Sequence, residues 1–180
     1  GDLNPPVEEP EEPDLPYEAS GSIATGDRTH SVTTADLNGD GLLDVIAAVP
    51  GLDAIAVSVA SAPGEFGAVT HLSTGPGTFP KYAEPVDVNG DGILDIVSAN
   101  QDSLDGTDVS VFIGAGDGTF AAAVSYAACE RPHEVEVADF DGDGVVDIAV
   151  ACWGGDDLGL LRGNGDGTFG AATLFAAGNA

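Results

Sequence analysis

The sequence predicts an all-β protein of three four-stranded antiparallel units, preceded by an extended acidic arm. One acidic motif recurs as DLNGDGLLD at 36–44, DVNGDGILD at 87–95 and DFDGDGVVD at 139–147. Short runs of β type follow each copy, and Gly-containing turn signals separate them. Helical periodicity is almost absent, since glycines interrupt the apolar positions. A repeat near 50 residues indicates that each copy is one supersecondary unit.

Each repeat contains four predicted strands, A to D. The A strands at 30–35 and 133–138 alternate apolar and polar residues, as a half-buried strand does. The B strands are nearly continuous apolar runs, which is typical of strands covered on both faces. The B strands are predicted at 42–49, 93–99 and 145–152, the C strands at 54–60, 108–114 and 157–163, and the D strands at 66–72, 120–126 and 169–175.

The units therefore span about residues 29–72, 80–126 and 132–175, within a repeat domain that covers 17–180. An extra D-like strand is predicted at 17–24, and we expect it to complete a sheet edge or to contact a neighbouring molecule. Residues 1–16 contain five prolines and six carboxylates, which cannot bury a core. This acidic Pro-rich segment is expected to be a solvated linker or an arm that docks on a neighbour.

The charge balance excludes two classes of function. With 31 acidic residues against 4 Lys and Arg, the formal net charge is −27. A nucleic-acid binder needs a basic face, and so does a protein that docks by charge on an anionic membrane. No apolar stretch reaches 18 residues, so membrane insertion is not expected. Bound cations, a saline habitat or both would offset so many carboxylates.

Each A–B loop carries oxygen ligands at alternate positions. Positions 1, 3, 5 and 9 supply side-chain oxygens, and position 7 supplies a backbone carbonyl. Hard oxygen donors without His or Cys favour a hard cation, and a flexible loop of about six or seven oxygens suits calcium better than magnesium. The predicted ligands of about three Ca²⁺ ions are Asp36, Asn38, Asp40, Leu42 and Asp44, then Asp87, Asn89, Asp91, Ile93 and Asp95, then Asp139, Asp141, Asp143, Val145 and Asp147.

Two other interpretations of these loops are less satisfactory. An EF-hand needs a bidentate Glu at position 12 and flanking helices, whereas position 12 here is Ala47, Ser98 and Val150 in apolar β-type runs. A simple Asp-Gly hairpin turn does not require four oxygen-bearing side chains at fixed positions three times over. By contrast, the GDGTF segments at 116–120 and 165–169 offer only one or two acidic groups, so we interpret them as structural C–D turns.

The two motifs together resemble the FG-GAP or VCBS-type repeats of integrin-α-like β-propellers, over about residues 17–180. The resemblance implies one four-stranded blade per repeat, calcium in the A–B hairpin loop and an extracellular or cell-surface setting. It also implies a role in adhesion or ligand binding, or as an accessory domain. Complete propellers of that family have about seven blades, so three blades are a partial β-propeller and leave apolar sheet faces without a neighbour.

The opposite end of each unit gathers a different set of residues. Because strands alternate in direction, the D–A and B–C loops lie away from the acidic loops. Cys129 and Cys152 both fall at this end of the third unit, so a disulfide or two buried thiols are expected. Arg28, Lys81 and Arg131 lie in D–A loops, where they either pair with nearby carboxylates or form a recognition surface with Trp153.

The sequence thus predicts a calcium-binding, secreted or surface-displayed repeat protein that acts in adhesion, ligand binding or assembly of a surface structure or polymer. Its expected partners are calcium and other protein chains, copies of itself among them, and neither nucleic acid nor a membrane. The alternative is a carbohydrate-binding accessory domain of a larger secreted enzyme. Catalysis within this chain is not expected, since no nucleophile and base stand at a suggestive spacing.

Overall fold

A computed structural model describes residues 22–101, 108–155 and 157–177. The predicted acidic arm at 1–16 and residues 17–21 of the predicted extra strand lie outside the described residues. Within them the chain forms fourteen β-strands and one short 3-10 helix, Pro50–Leu52. The prediction of an all-β fold is confirmed.

Three four-stranded antiparallel sheets account for most of these strands, and each sheet is built from one repeat. Their strand orders are β1-β2-β3-β6, β7-β8-β9-β10 and β11-β12-β13-β14, and β4 and β5 form a separate hairpin. The bounds are β1 Ser31–Ala35, β2 Asp44–Val49, β3 Ala54–Ser58, β4 Ala60–Ala62, β5 Glu65–Phe66, β6 Thr70–Ser73, β7 Pro80–Val86, β8 Asp95–Asn100, β9 Asp108–Phe112, β10 Val124–Ala127, β11 Pro132–Ala138, β12 Asp147–Cys152, β13 Asp157–Leu161 and β14 Thr173–Ala176.

The strand boundaries differ from the prediction by two or more residues at three places in each repeat. The C strands β3, β9 and β13 end at Ser58, Phe112 and Leu161, two residues earlier than predicted. The B strands β2, β8 and β12 begin at the last Asp of the acidic motif, two residues later than predicted, because positions 7 and 8 remain in the loop. The D strands β6, β10 and β14 begin about four residues later than predicted. The reason is that the aromatic residue predicted to start each strand still belongs to the C–D connection. Phe120 and Phe169 make isolated bridges with Gly114 and Gly163 in that connection.

The start of the described chain is not a strand. Residues 22–24, the described end of the predicted extra strand 17–24, pair with no sheet. Instead, the N–H of Thr25 bonds to the Ile23 carbonyl at 2.9 Å, which closes a tight local turn. The Thr25 carbonyl accepts a hydrogen bond from His71 Nε2 at 2.8 Å, so this segment lies against the outer face of the first sheet.

The core consists of two interfaces between successive sheets. In the first, Ile46 and Ile55 of the first sheet pack with Ile96 and Phe112 of the second. In the second, apolar residues of β8 and β9 pack with Ile148 and others of the third sheet. Every residue of β8 is buried, because this strand lies in the middle sheet and is covered on both faces. The continuous apolar B run predicted such double coverage.

Cys129 and Cys152 form a disulfide within the third repeat, with a Cα–Cα distance of 5.9 Å. It joins the connection that precedes β11 to the last residue of β12. Both cysteines are buried beside the interface between the second and third sheets. The bond closes a sequence separation of 23 residues, so it restrains the unfolded chain over about half of one repeat.

Reducing this disulfide is expected to lower the free energy of unfolding by about 3 kcal/mol, because the closed loop restricts the unfolded ensemble. Urea unfolding with and without a thiol reductant measures the difference. A Cys129→Ser, Cys152→Ser double variant serves as the control, since its stability should not respond to reductant. Equal urea midpoints for the oxidised and reduced natural chain would contradict the expectation.

Candidate metal-binding loops

The three A–B loops share one backbone conformation. In the first loop, Gly39 and Gly41 adopt φ values of 73° and 86°, in the left-handed region that only glycine occupies without strain. The corresponding glycines of the other loops, Gly90, Gly92, Gly142 and Gly144, also have positive φ. These paired glycines allow the chain to wrap around a single centre, as the sequence predicted.

The first Asp of each loop organises this turn. Asp36 Oδ1 accepts hydrogen bonds from the N–H groups of Gly39 and Asp40, at 2.8 and 3.1 Å, and Oδ2 accepts one from Gly41 at 2.8 Å. Asp87 receives the equivalent Gly90 and Gly92 N–H groups at 2.7 and 2.8 Å. Asp139 does the same with Gly142 and Gly144.

The side chains at positions 3 and 5 of each loop also accept hydrogen bonds from backbone N–H groups of the same loop. Asn38 Oδ1 accepts the N–H of Asp40, and Asp40 Oδ1 accepts the N–H of Leu42, at 3.0 and 2.8 Å. The other loops repeat both bonds. These oxygens are acceptors with remaining lone pairs, so they can also serve a cation. The backbone carbonyls of Leu42, Ile93 and Val145 remain predicted ligands.

The last Asp of each motif has a second role that the sequence analysis missed. Asp44 is fully buried, and its Oδ2 accepts the N–H of Leu37 at 2.9 Å while Oδ1 accepts the N–H of Ala60 at 2.7 Å. This carboxylate therefore clamps the start of the loop to the chain beyond β3. Asp95 and Asp147 form the same clamps, to Val88 and Gly114 and to Phe140 and Gly163. The sequence did carry a signal for this role: the last Asp of each motif is the first residue of an apolar strand, where a buried carboxylate needs hydrogen-bond donors.

The third loop supplies the test of whether these residues fit a metal ion. Oxygens of Asp139, Asp141 and Asp147 all lie within 4.8 Å of one another. Calcium–oxygen bonds of 2.3–2.6 Å place ligands on opposite sides of one ion roughly 5 Å apart, so this cluster has suitable dimensions. The donor set consists of carboxylate oxygens, which hard cations prefer. The residues therefore fit a divalent cation.

The third loop also differs in charge from the other two. It carries Asp141 where the first two loops have Asn38 and Asn89. Arg162 offsets this extra carboxylate, because its Nη1 lies 2.9 Å from Asp141 Oδ2. The residues that correspond to Arg162 in the other repeats, Val59 and Ile113, are uncharged. The net charge around each loop is therefore similar despite the substitution.

Hydrogen bonds and burial move the acidity of the loop carboxyls in opposite directions. The Gly41 N–H, with smaller contributions from Gly39 and Asp40, holds the pKa of Asp36 below its usual value despite some opposing desolvation. The N–H groups of Gly144 and Gly142 lower the pKa of Asp139 in the same way. Burial raises the pKa of Asp95, and the negative charges of Asp91 and Asp87 add to the rise.

Without calcium, stability is expected to fall with pH below about 4, where unfolded Asp begins to bind protons. Asp36 and Asp139 have lowered pKa values, so they stabilise the fold above the unfolded pKa. That contribution is lost as the pH falls through their folded values. Urea midpoints measured in chelator from pH 5 to pH 2 test this. An Asp36→Asn, Asp139→Asn variant should show a smaller decline, and an equal decline would contradict the assignment.

The GDGTF turns contain acidic residues with a structural role. Asp117 Oδ1 accepts both the N–H and the hydroxyl of Thr119, and Asp166 does the same with Thr168. Each carboxylate thus stabilises its own turn. This agrees with the interpretation of these segments as C–D turns.

At the opposite end of the sheets, residues from all three repeats meet. His30 Nδ1 lies 3.0 Å from the Lys81 carbonyl oxygen, and the His30 and His133 ring centroids are 5.8 Å apart. The His133 ring lies 5.7 Å from the ring of Trp153, and Arg131 lies over that ring at 5.5 Å. These five residues are named the apical cluster. They occupy the D–A and B–C ends, as predicted.

The apical cluster contains an exposed aromatic ring and two cations, Lys81 and Arg131, that form no ion pair with the carboxylates in the described part of the chain. Trp153 is 65% exposed. In the described part of the chain, the one ion pair joins Arg162 to Asp141, so neither Lys81 nor Arg131 pairs with a described carboxylate. Pairing of the loop cations with nearby carboxylates, one of the two sequence-based expectations, is therefore not observed there.

Comparison with known proteins identifies the repeats. Residues 29–72 match the FG-GAP repeat family, and residues 87–150 match the FG-GAP-like repeat family. The chain therefore contains FG-GAP repeats, which confirms that part of the resemblance. No curated protein matches the chain.

None of the helices in residues 22–101, 108–155 and 157–177 has the length and apolar character needed to cross a bilayer.

Among solved structures, the chain is similar to part of the Photorhabdus luminescens Tc holotoxin pore. The two share 20% sequence identity with a TM-score of 0.47. The match covers 87% of this chain and 7% of that chain. This chain thus spans a small fraction of the length of that protein.

Proposed function

We propose that this chain is a calcium-binding FG-GAP repeat module of an extracellular or surface-displayed protein, with its three sheets arranged as blades of a partial β-propeller. The observation that carries the proposal is the threefold repetition of one loop geometry around alternate oxygen donors. In the third loop three carboxylates already converge at the distance that one ion requires. When bound, calcium would supply positive charge at the centre of each loop.

The residues proposed to hold the ions are the fifteen loop ligands named above. The first Asp of each loop keeps the glycine turn closed and presents its carboxylate inward. The last Asp ties the loop to the sheet through buried hydrogen bonds. Each ion would thereby hold the A–B loop closed against the body of its sheet, which is a stabilising role.

The disulfide and the FG-GAP repeats fit an extracellular setting, because disulfides persist in oxidising compartments. We propose a non-catalytic role in adhesion, ligand binding or assembly, with protein chains as partners, copies of this one among them. The high acidity supports the exclusion of nucleic acid as a partner. The apical cluster is the proposed recognition surface, because it combines an exposed ring with cations that form no ion pair with any carboxylate among the described residues.

Calcium titration by isothermal calorimetry tests this proposal. About three ions should bind the natural chain, one for each loop. Asp87→Asn together with Asp91→Asn should remove one ion and leave the other two. The matched control is Asp117→Asn, which changes an exposed structural turn and should keep all three. Absence of calcium binding by the folded natural chain would overturn the proposal.

A second candidate function is that of a carbohydrate-binding accessory domain, and the exposure of Trp153 favours it. A flat aromatic ring beside hydrogen-bond donors is a common platform for sugars, since it offers an apolar face and a polar edge. The ring of Tyr82 on β7 is partly buried, and its hydroxyl donates a hydrogen bond to Glu84 at 2.8 Å, so Tyr82 is less available to a sugar than Trp153. Binding to a glycan array that is lost in Trp153→Ala, but kept in Phe140→Ala, would favour this candidate.

A further inference from the structure

The basic residues of this chain are concentrated at one end of its sheets. Three of the four Lys and Arg side chains and two of the three His side chains lie in the D–A connections or at the starts of the strands that follow them. They are Arg28, His30, Lys81, Arg131 and His133. The remaining arginine, Arg162, pairs with Asp141 at the opposite end. In a chain with a formal net charge of −27, this end is where cations can attract a negatively charged ligand.

The two arginines at this end are held in a backbone conformation that glycine adopts more easily. Arg28 and Arg131 have φ values of 61° and 57°, and each lies eight residues before the first Asp of its acidic motif. Phe79 also has a positive φ, at the equivalent position of the second repeat. The left-handed region is strained for residues that carry a Cβ. An arginine at such a position indicates that its side chain has a role that glycine would not fulfil.

Trp153 borders both the cations and an apolar recess. The Trp153 N–H donates a hydrogen bond to the Arg131 carbonyl at 3.0 Å, which holds this residue next to the guanidinium. A recess of about 400 Å³ is lined by His133, Ala151, Cys152 and Trp153. An apolar recess with an aromatic wall accepts apolar rings, and adjacent cations pair with carboxylates. The apical cluster therefore suits a ligand in which apolar rings alternate with carboxylates.

The acidic Pro-rich segment of this chain has that composition in a regular order. Residues 8–16 read EEPEEPDLP, so proline recurs at every third position. Proline-rich sequences favour the polyproline II helix, which has three residues per turn and rises about 3.1 Å per residue. In that helix Pro10, Pro13 and Pro16 would share one face, and the five carboxylates would lie along the other two. Aromatic grooves of other proteins bind polyproline II segments through their prolines.

We propose that the apical cluster binds the acidic Pro-rich segment, residues 1–16, of a second copy of this chain. This inference rests on the proposed function, in which the apical cluster is the recognition surface, and it names the partner. The prolines of the segment pack against Trp153 and the recess, and its carboxylates pair with Arg131 and Lys81. Charge complementarity favours this occupant, since residues 1–16 contain six carboxylates and no Lys, Arg or His.

The position of Thr25 favours a second copy over the same chain. The Thr25 carbonyl lies 2.8 Å from His71 Nε2. His71 pairs with Ala56, whose side chain is on the face of the first sheet away from the second. Thr25 therefore lies on the far side of the first sheet, whereas Trp153 is in the third repeat, and the sheets of the chain stand between them. A contact between this segment and the next copy is head-to-tail, so it builds rings or open chains of copies.

Fluorescence of Trp153 tests the contact directly, because it is the one tryptophan of the chain. A synthetic peptide of residues 1–16 is titrated into the natural chain at a concentration where sedimentation shows a monomer. The emission should shift to the blue and saturate, since the ring leaves water as prolines cover it. A peptide in which all four glutamates are changed to Gln should bind more weakly by about tenfold or more. A peptide of the same composition whose five prolines are adjacent should be weakened as well.

Association of the natural chain is the second measurement. Its average mass by sedimentation velocity should rise with concentration. Arg131→Glu should weaken association by about tenfold or more. Glu11→Lys with Glu12→Lys should also weaken it, and the combination of both sets should associate more tightly than either alone, since opposite charges face each other again. Phe140→Ala is the matched control and should associate like the natural chain, because this exposed aromatic residue lies in an acidic loop at the opposite end.

Three results would each overturn the proposal. They are an unchanged Trp153 emission with the peptide, a natural chain that stays monomeric at every concentration, and combined charge changes that associate no more tightly than Arg131→Glu alone. Glycan binding through Trp153 without a response to the peptide would likewise overturn it. Calorimetry of the same variants should still count about three calcium ions, so failure of this proposal is distinguishable from failure of the calcium proposal.

Discussion

Removal of calcium is expected to lower the melting temperature on the order of 15–30 °C. A cation that binds only the folded state stabilises it by linkage, by about 2.7 kcal/mol per site when free calcium is about 100 times its Kd. Three independent sites would contribute about 8 kcal/mol. For a chain of this size, 1 kcal/mol corresponds to roughly 2–4 °C. Thermal unfolding in millimolar calcium and in excess chelator measures the difference.

Two controls separate calcium from general ionic effects. Magnesium at the same ionic strength should restore only a small part of the loss, because it requires stricter octahedral geometry and sheds water reluctantly. A variant with Asp→Asn at Asp36, Asp87 and Asp139 should melt at a low temperature that chelator barely changes. If the melting temperature of the natural chain did not respond to chelator, the calcium assignment would be wrong.

Substitution of Asp95 by Ala is expected to cost about 2–6 kcal/mol of unfolding free energy even in chelator. The carboxylate accepts the N–H groups of Val88 and Gly114 at 3.0 and 2.8 Å, in the interior of the second sheet. Removing it leaves two donors without acceptors, and each unsatisfied buried donor costs about 1–3 kcal/mol. Urea unfolding in chelator isolates this clamp from any metal contribution.

Asp95→Asn provides the comparison variant. The amide retains one oxygen acceptor, so one of the two bonds survives and the loss should be smaller than for Ala. In calcium, both variants should also lose part of the metal-linked stability. If Asp95→Ala weakened the protein only in calcium, the clamp would have no energetic role of its own.

The sequence predicted the sheets well because their B and C strands are short apolar runs between acidic or glycine turns. Burial on both faces produces such runs, and the middle sheet shows it directly in β8. The D strands were predicted to begin too early in the sequence, because Phe120 and Phe169 are of a residue type that is common in strands. Their position in the C–D connection depends on isolated bridges with Gly114 and Gly163. The periodicity of the sequence does not reveal such bridges.

Within the loops, spacing identified the oxygen donors but not the partners of the buried carboxylates. Asp44 bonds to Ala60, which lies sixteen residues away beyond another strand. That contact exists only once β2 and β3 have paired. The apical cluster has the same origin, since His30 and His133 belong to different repeats and meet through the packing of the sheets. Contacts between distant segments depend on tertiary arrangement, which a local pattern does not contain.

Each large sheet draws all four strands from one continuous stretch of about fifty residues. No strand has to wait for a partner synthesised much later, and the disulfide also forms within one stretch. Contacts that are local in sequence form quickly, and units complete in themselves can fold in order from the N-terminus. The chain can therefore fold vectorially, one sheet at a time, as it emerges from a ribosome or a translocation channel. For the same reason, a gene could gain or lose one repeat without rethreading the others.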